Sequence, residues 1–119
     1  MASSLSASCI AYAGFFLHSC ASTFISSYVM FPAYEIIVDC IFGTGFRSVP
    51  TGIYADAINK INSSGAYVVS VDINSGLNGD SGLCDIAVYS NLTVAIDEYK
   101  SGHYLGQAKD YIGLLKCCD

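Results

Sequence analysis

Asp39, Asp72 and Ser75 are the residues of this chain best placed to do chemistry. They stand where apolar runs give way to glycine turns, in Ile36-Ile37-Val38-Asp39-Cys40-Ile41-Phe42-Gly43-Thr44-Gly45 and Val68-Val69-Ser70-Val71-Asp72-Ile73-Asn74-Ser75-Gly76-Leu77. A carboxylate in such a turn can carry a proton or meet a cation, and a hydroxyl adds a second oxygen. Gly43 and Gly45 can aim backbone N–H groups at a phosphate, the next helix N-terminus can favour the anion, and Arg47 can add a charge-assisted contact. Taken singly, these signals are weak. GxG turns are common, Ser48 stands where a dinucleotide fingerprint has its third glycine, and an acid at a strand end is often a cap or turn former.

The elements around them give the pattern its force. Pro50-Thr51-Gly52 leads into Ile53, Ala57, Ile58 and Ile61, an apolar stripe at helical spacing that Gly65 would end. Strand, glycine turn, amphipathic helix and second strand make a βαβ crossover, which is right-handed in nearly all sheets and brings both acidic turns to one edge. Open α/β sheets bind their ligands at that edge. The pattern predicts strands near 35–41, 67–72, 90–96 and 112–117, and a helix near 52–63. Between the second and third strands a glycine-rich loop runs to about residue 85, with the length of a binding loop and the composition of a solvated turn.

In order and spacing, VDCIFGTGFRSVPTG, INSSGAYVVSVDINSGLNGDSG and AVYSNLTVAIDEYKSG resemble the YjeF N-terminal domain family, the NAD(P)H-hydrate epimerases. The likeness runs from Glu35 to the end, with Tyr111-Ile112-Gly113 similar to the family's last strand. It implies a three-layer Rossmann-like parallel sheet with crossover helices, here incomplete. The implied activity is interconversion of the R and S epimers of hydrated NADH or NADPH, a nucleotide-repair isomerase that uses a potassium ion. By position, the resemblance makes Asp39 and Ser75 potassium ligands. It makes Gly43, Thr44, Gly45, Phe46, Arg47, Ser48 and Val49 the substrate-phosphate loop, and Asp72 the substrate-contacting acid/base. It also implies a dehydratase activity, fused or separate, and allows a homodimer. The same fold resembles the C-terminal domain of an mRNA-decapping scaffold, so a non-catalytic interaction module is the rival reading; Asp39, Asp72 and Ser75 together favour the enzyme.

The chain departs from the family pattern in places. No Asn-Asn-Gly-Gly-Asp-Gly stretch occurs, although the family has one upstream that adds a potassium ligand and much of the phosphate pocket. Asn74 and Ser101 stand where prolines are usual, changes expected to loosen their turns. Residues 1–34 contain no Asp, Glu, Lys or Arg and do not resemble the family. They read as foreign sequence joined to a partial domain over 35–119, which suggests a truncated or frame-shifted, impaired copy. That segment lacks the basic start of a signal peptide and is too interrupted by Ser, Thr and His to span a membrane.

Composition limits the remaining classes. The chain has 119 residues and 53% hydrophobic content, which fits one folded domain and excludes general disorder. A formal net charge of -5, with only five Lys and Arg, speaks against a nucleic-acid surface. The six cysteines show no zinc spacing. Cys40, Cys117 and Cys118 are expected as reduced core thiols, which points to a cytoplasmic setting. His18 and His103 are expected at the surface or as satisfied core residues. The sequons at Asn62 and Asn91 are taken as chance.

Overall fold

The computed structural model describes residues 10–14 and 34–119. His18 lies outside them, as do two of the six cysteines, Cys9 and Cys20. Five parallel strands form one sheet in chain order: β1 (Ile10–Gly14), β2 (Ile36–Cys40), β3 (Tyr67–Val71), β4 (Leu92–Ile96) and β5 (Leu114–Cys118). Helix α1 (Ile53–Ser63) is the crossover between β2 and β3. A single 3-10 turn (Ser101–His103) and the one-turn helix α2 (Ala108–Tyr111) precede β5. This is the α/β parallel sheet with crossover helix that the sequence pattern implied.

Helix α1 forms where its apolar stripe meets the sheet. Ala57, Ile58 and Ile61 are buried, and they pack with Ile37 of β2, Val68 of β3 and Val88. Each fully buried Ile side chain here contributes roughly 1.5–3 kcal/mol of transfer free energy. The helix ends as a cap rather than by fraying. Ser64 Oγ donates to Ile61 O at 2.7 Å and accepts from Ala66 N at 3.1 Å, after which Gly65 takes a left-handed φ of 73°.

Two boundaries differ from the sequence reading. β1 pairs in register with β2, from Ile10 beside Ile36 to Gly14 beside Cys40, so five residues of the segment read as foreign belong to the sheet. At the other end, Tyr111-Ile112-Gly113 is not strand. Tyr111 closes α2, Gly113 has a φ of 57°, and β5 starts at Leu114, hydrogen-bonded to Asn91 O at 3.0 Å. β5 is an outer strand with alternating half-buried and exposed residues, and Cys118 is exposed. The expectation of core thiols fails there because no further strand or helix covers that side among the described residues.

Candidate functional site

Asp39 lies on β2 beside Ser70 of β3 and is fully buried. Its two carboxylate oxygens collect four donors. Oδ1 accepts from Ser75 Oγ at 2.5 Å and Ile41 N at 3.3 Å; Oδ2 accepts from Ser70 Oγ at 2.8 Å and Ser75 N at 2.9 Å. Ser75 Oγ in turn accepts from Phe42 N at 2.9 Å. Burial pushes the Asp39 carboxyl above its usual range, and the hydrogen bonds from Ser75, Ser70 and Ile41 oppose that. The structure thus brings Asp39 and Ser75 into direct contact at the ends of adjacent strands. Carboxylate and hydroxyl oxygens are the donors a hard cation takes, so the pair fits one chemically. A cation at Asp39 Oδ1 would also turn the Ser75 hydroxyl away.

Asp72 follows β3 directly and sits in a strained turn. Its φ is 70°, and Ile73 N donates to Val71 O at 2.9 Å across it, which makes a γ-turn of the rare positive-φ kind. Asp97 repeats the arrangement after β4, with a φ of 68° and Glu98 N bonded to Ile96 O at 2.8 Å. Asp72 Oδ1 pairs with Lys100 Nζ at 3.0 Å. Its Oδ2 faces the other way, so that a Cβ added to Gly43 would stand 3.8 Å from it. Cys40, Phe42, Gly43 to Phe46, Val71 and Asp72 line a cavity of about 740 Å³. One oxygen of Asp72 is therefore anchored, and the other borders the glycine turn.

The seven-residue loop expected to hold phosphate divides between two cavities. Gly43, Thr44, Gly45 and Phe46 line the Asp72 cavity. Arg47, Ser48 and Val49 line a separate one of about 530 Å³ with Gly76, Asn78, Leu83 and Cys84, and Phe46 is the wall between them. Phe46 is held by stacking on Phe42, with ring centroids 3.9 Å apart and planes 12° from parallel. The Arg47 guanidinium turns to Asp80 Oδ2 at 2.9 Å and Thr44 O at 3.2 Å. That ion pair is largely exposed and adds little stability.

Asn74 and Ser101 tighten the fold where loosening was expected. Asn74 is fully buried; its amide nitrogen reaches Val88 O at 2.8 Å, Tyr111 O at 2.9 Å and Ser90 Oγ at 3.0 Å, and its Oδ1 accepts from Thr93 Oγ1 at 2.7 Å. A proline there could make none of these bonds. Asn74→Ala is accordingly expected to cost about 2–4 kcal/mol by urea denaturation, since it strands several buried polar groups. A loss within experimental error would show that water replaces the amide. Ser101 Oγ donates to Asp80 O at 3.0 Å, tying the glycine-rich loop to the 3-10 turn. Gly102 completes that contact by its lack of a side chain: a Cβ there would lie 2.4 Å from Asn78 O. The long loop is a pinned structure, with Asn78, Gly79 and Gly82 all bonded to backbone.

His103, read as a satisfied core or surface residue, is 2% exposed and touches the site. Its Nδ1 accepts from Lys100 N at 2.9 Å, so its Nε2 carries the hydrogen and donates to Asp72 O at 2.8 Å. Burial lowers the pKa of the ring, which keeps it neutral as that tautomer. No local pattern in the sequence signals this contact. The sequon asparagines are likewise engaged: Asn62 Nδ2 donates to Ala87 O at 2.9 Å, and Asn91 Oδ1 accepts from Val68 N at 2.8 Å.

A parallel sheet with two carboxylates, a hydroxyl and a glycine turn gathered at its carboxyl edge defines a protein of the α/β class with a ligand crevice in the usual place. Comparison with known proteins is more specific. The model of the YjeF-related protein N-terminus family matches residues 9–102, and the chain belongs to that family. The match begins upstream of residue 35, at the strand that the sheet also includes, and stops before β5. The chain is 44% identical over 79 residues to NAD(P)H-hydrate epimerase of Limosilactobacillus reuteri (strain DSM 20016), covering 66% of this chain and 37% of that protein. It is 37% identical over 86 residues to the enzyme of the same name from Limosilactobacillus fermentum, covering 71% and 41%. To the bifunctional NAD(P)H-hydrate repair enzyme Nnr of Thermofilum pendens it is 38% identical over 73 residues, covering 60% and 14%. The chain thus spans about two-fifths or less of the length of these relatives. Among the described residues no helix is long and apolar enough to cross a membrane.

Proposed function

We propose that this chain carries the acid, glycine-turn and cation-ligand portion of an NAD(P)H-hydrate epimerase site, acting on hydrated NADH or NADPH. The observation that carries the reading is Asp72, whose Oδ2 borders the cavity beside Gly43 while Oδ1 is held by Lys100. One route that inverts a hydroxyl-bearing carbon is for the hydroxyl to leave and return. A carboxyl group beside it can protonate the departing hydroxyl and take the proton back from the water that adds on the other face. The turn from Gly43 to Phe46 would place backbone N–H groups near the substrate phosphates, and Arg47 could join them by leaving Asp80. Asp39 and Ser75 would hold potassium, whose positive charge favours the same anionic substrate. The gathering of these groups favours an enzyme over the interaction-module reading, which gives no reason for it.

The 119 residues hold no Asn-Asn-Gly-Gly-Asp-Gly stretch, so the chain alone is proposed to be an impaired enzyme. The relatives named as bifunctional repair enzymes support a dehydratase partner activity, and the free thiols Cys40, Cys84, Cys117 and Cys118 support a reducing, cytoplasmic setting. Incubation of the purified chain with R-configured hydrated NADH, with and without potassium, tests the reading. Amide shifts at Gly43 to Phe46 and Asp72 are expected, strengthened by potassium, with conversion to the S epimer near the spontaneous rate. No shift at those residues at millimolar substrate would sink the site. Rapid conversion would refute the impairment.

A further inference from the structure

We infer that Lys100 and His103 are positioning residues that hold Asp72 in its strained turn, so that Oδ2 stays turned towards the cavity. The inference rests on the acid/base reading of Asp72. A left-handed φ at a residue other than glycine is strained and persists only where the surroundings hold it. Among the described residues, every polar group of Asp72 but Oδ2 has a partner. Its N donates to Val94 O at 2.7 Å, its carbonyl accepts from His103 Nε2 at 2.8 Å, and its Oδ1 meets Lys100 at 3.0 Å.

Lys100 links both γ-turns. Besides Asp72 Oδ1, its ammonium donates to Ile96 O at 2.6 Å and Glu98 O at 2.8 Å, the two carbonyls on either side of Asp97. Three donors are matched by three acceptors, which leaves the ammonium no free hydrogen for a substrate phosphate. Its work is internal. The pair is about four-fifths shielded from solvent, with side-chain exposures of 20% and 22%, so screening weakens it less than it would a surface pair. His103 then joins the two ends of the clamp, holding Lys100 by its backbone N–H and Asp72 by its carbonyl.

The two ring nitrogens allow this role to be separated from ordinary turn capping. Glutamine at position 103 keeps a donor near the Nε2 position but loses the Nδ1 acceptor, whereas asparagine keeps an acceptor near Nδ1 and cannot reach Asp72. In the isotopically labelled 119-residue chain, the ring of His103 is expected as the neutral Nε2–H tautomer. Exchange of the Lys100 ammonium protons is expected to quicken about tenfold or more in His103→Asn, with a moved Asp72 carboxyl resonance, and to stay within about threefold in His103→Gln. An Nδ1–H tautomer, equal responses of the two variants, or rescue by asparagine alone would overturn the inference. If neither variant folds, Lys100→Met decides. It should shift the Asp72 carboxyl resonance and speed exchange of the Ile73 amide, and an unchanged Asp72 would overturn the clamp. Addition of R-configured hydrated NADH separates the two claims. A silent Asp72 resonance with the clamp results as expected removes the acid/base reading and leaves the clamp standing, while rescue by asparagine with a responsive Asp72 does the reverse.

Discussion

Asp72→Asn is expected to slow epimerisation about 10²-fold or more in a chain completed with the upstream half of the relatives, with the fold retained. Asparagine is the informative substitution because it tolerates a left-handed φ better than most residues, so the γ-turn at 70° survives. Its carbonyl oxygen can still accept from Lys100, which limits the stability loss to about 1 kcal/mol, the scale of one partly shielded ion pair. What disappears is the ability of the atom beside Gly43 to hold or release a proton. Steady-state rates with each epimer, compared with the melting midpoint, measure the two effects separately. A rate within a few-fold of the parent would leave Asp72 as a contact that only orients substrate.

A large stability effect is also expected at Asp39, where Asp39→Asn should cost about 3 kcal/mol. The reason is the distribution of its donors. Each carboxylate oxygen accepts one backbone N–H, from Ile41 on Oδ1 and from Ser75 on Oδ2. Hydroxyls can rotate, but backbone N–H groups cannot, so an amide in either orientation sets its NH₂ against one of them. Ser70→Ala removes a single hydroxyl and should cost much less, about 1 kcal/mol. Guanidinium unfolding of the two variants tests this. An Asp39→Asn chain as stable as the parent would mean that the loop after β2 re-forms around the amide, and that Asp39 is not what joins β2 to the turn after β3.

Periodicity was a good guide where one face of an element is buried. Ile53, Ala57, Ile58 and Ile61 placed α1 within a residue, and the runs rich in Ile and Val placed β2 and β3 equally well. The short elements gave no such signal. The 3-10 turn at Ser101–His103 and helix α2 are too brief for a pattern to show, and Gly82, Gly102 and Gly106 let the two backbone segments 78–82 and 102–106 touch beside them. β1 was missed because its Ser- and Ala-rich surroundings obscure a five-residue strand. At the site, sequence order picked out residues that the structure brings together in two groups, Asp39 with Ser75 and Asp72 with Gly43. The residues that hold them were beyond its reach. Asn74 bonds to partners 14 to 37 positions away and His103 to one 31 away, so neither partner could be read from a local window. The division of the loop by Phe46 depends on a ring stack that no spacing rule encodes.

The strand order has a consequence for how the chain assembles. Because β1 to β5 lie side by side in the order they are written, each strand docks on the one made just before it, and none waits for a distant partner to be synthesised. Parallel sheets are slow to form when their pairings span long stretches of chain. Here the nucleus can be a single βαβ unit, β2 with α1 and β3, and later strands add to its edge as they leave the ribosome, with domains folding from the N-terminal side during synthesis. β5 adds to β4 only after Gly113 has turned the backbone. A chain stalled before residue 113 would therefore present β4 as a bare edge, the form most open to pairing with another copy.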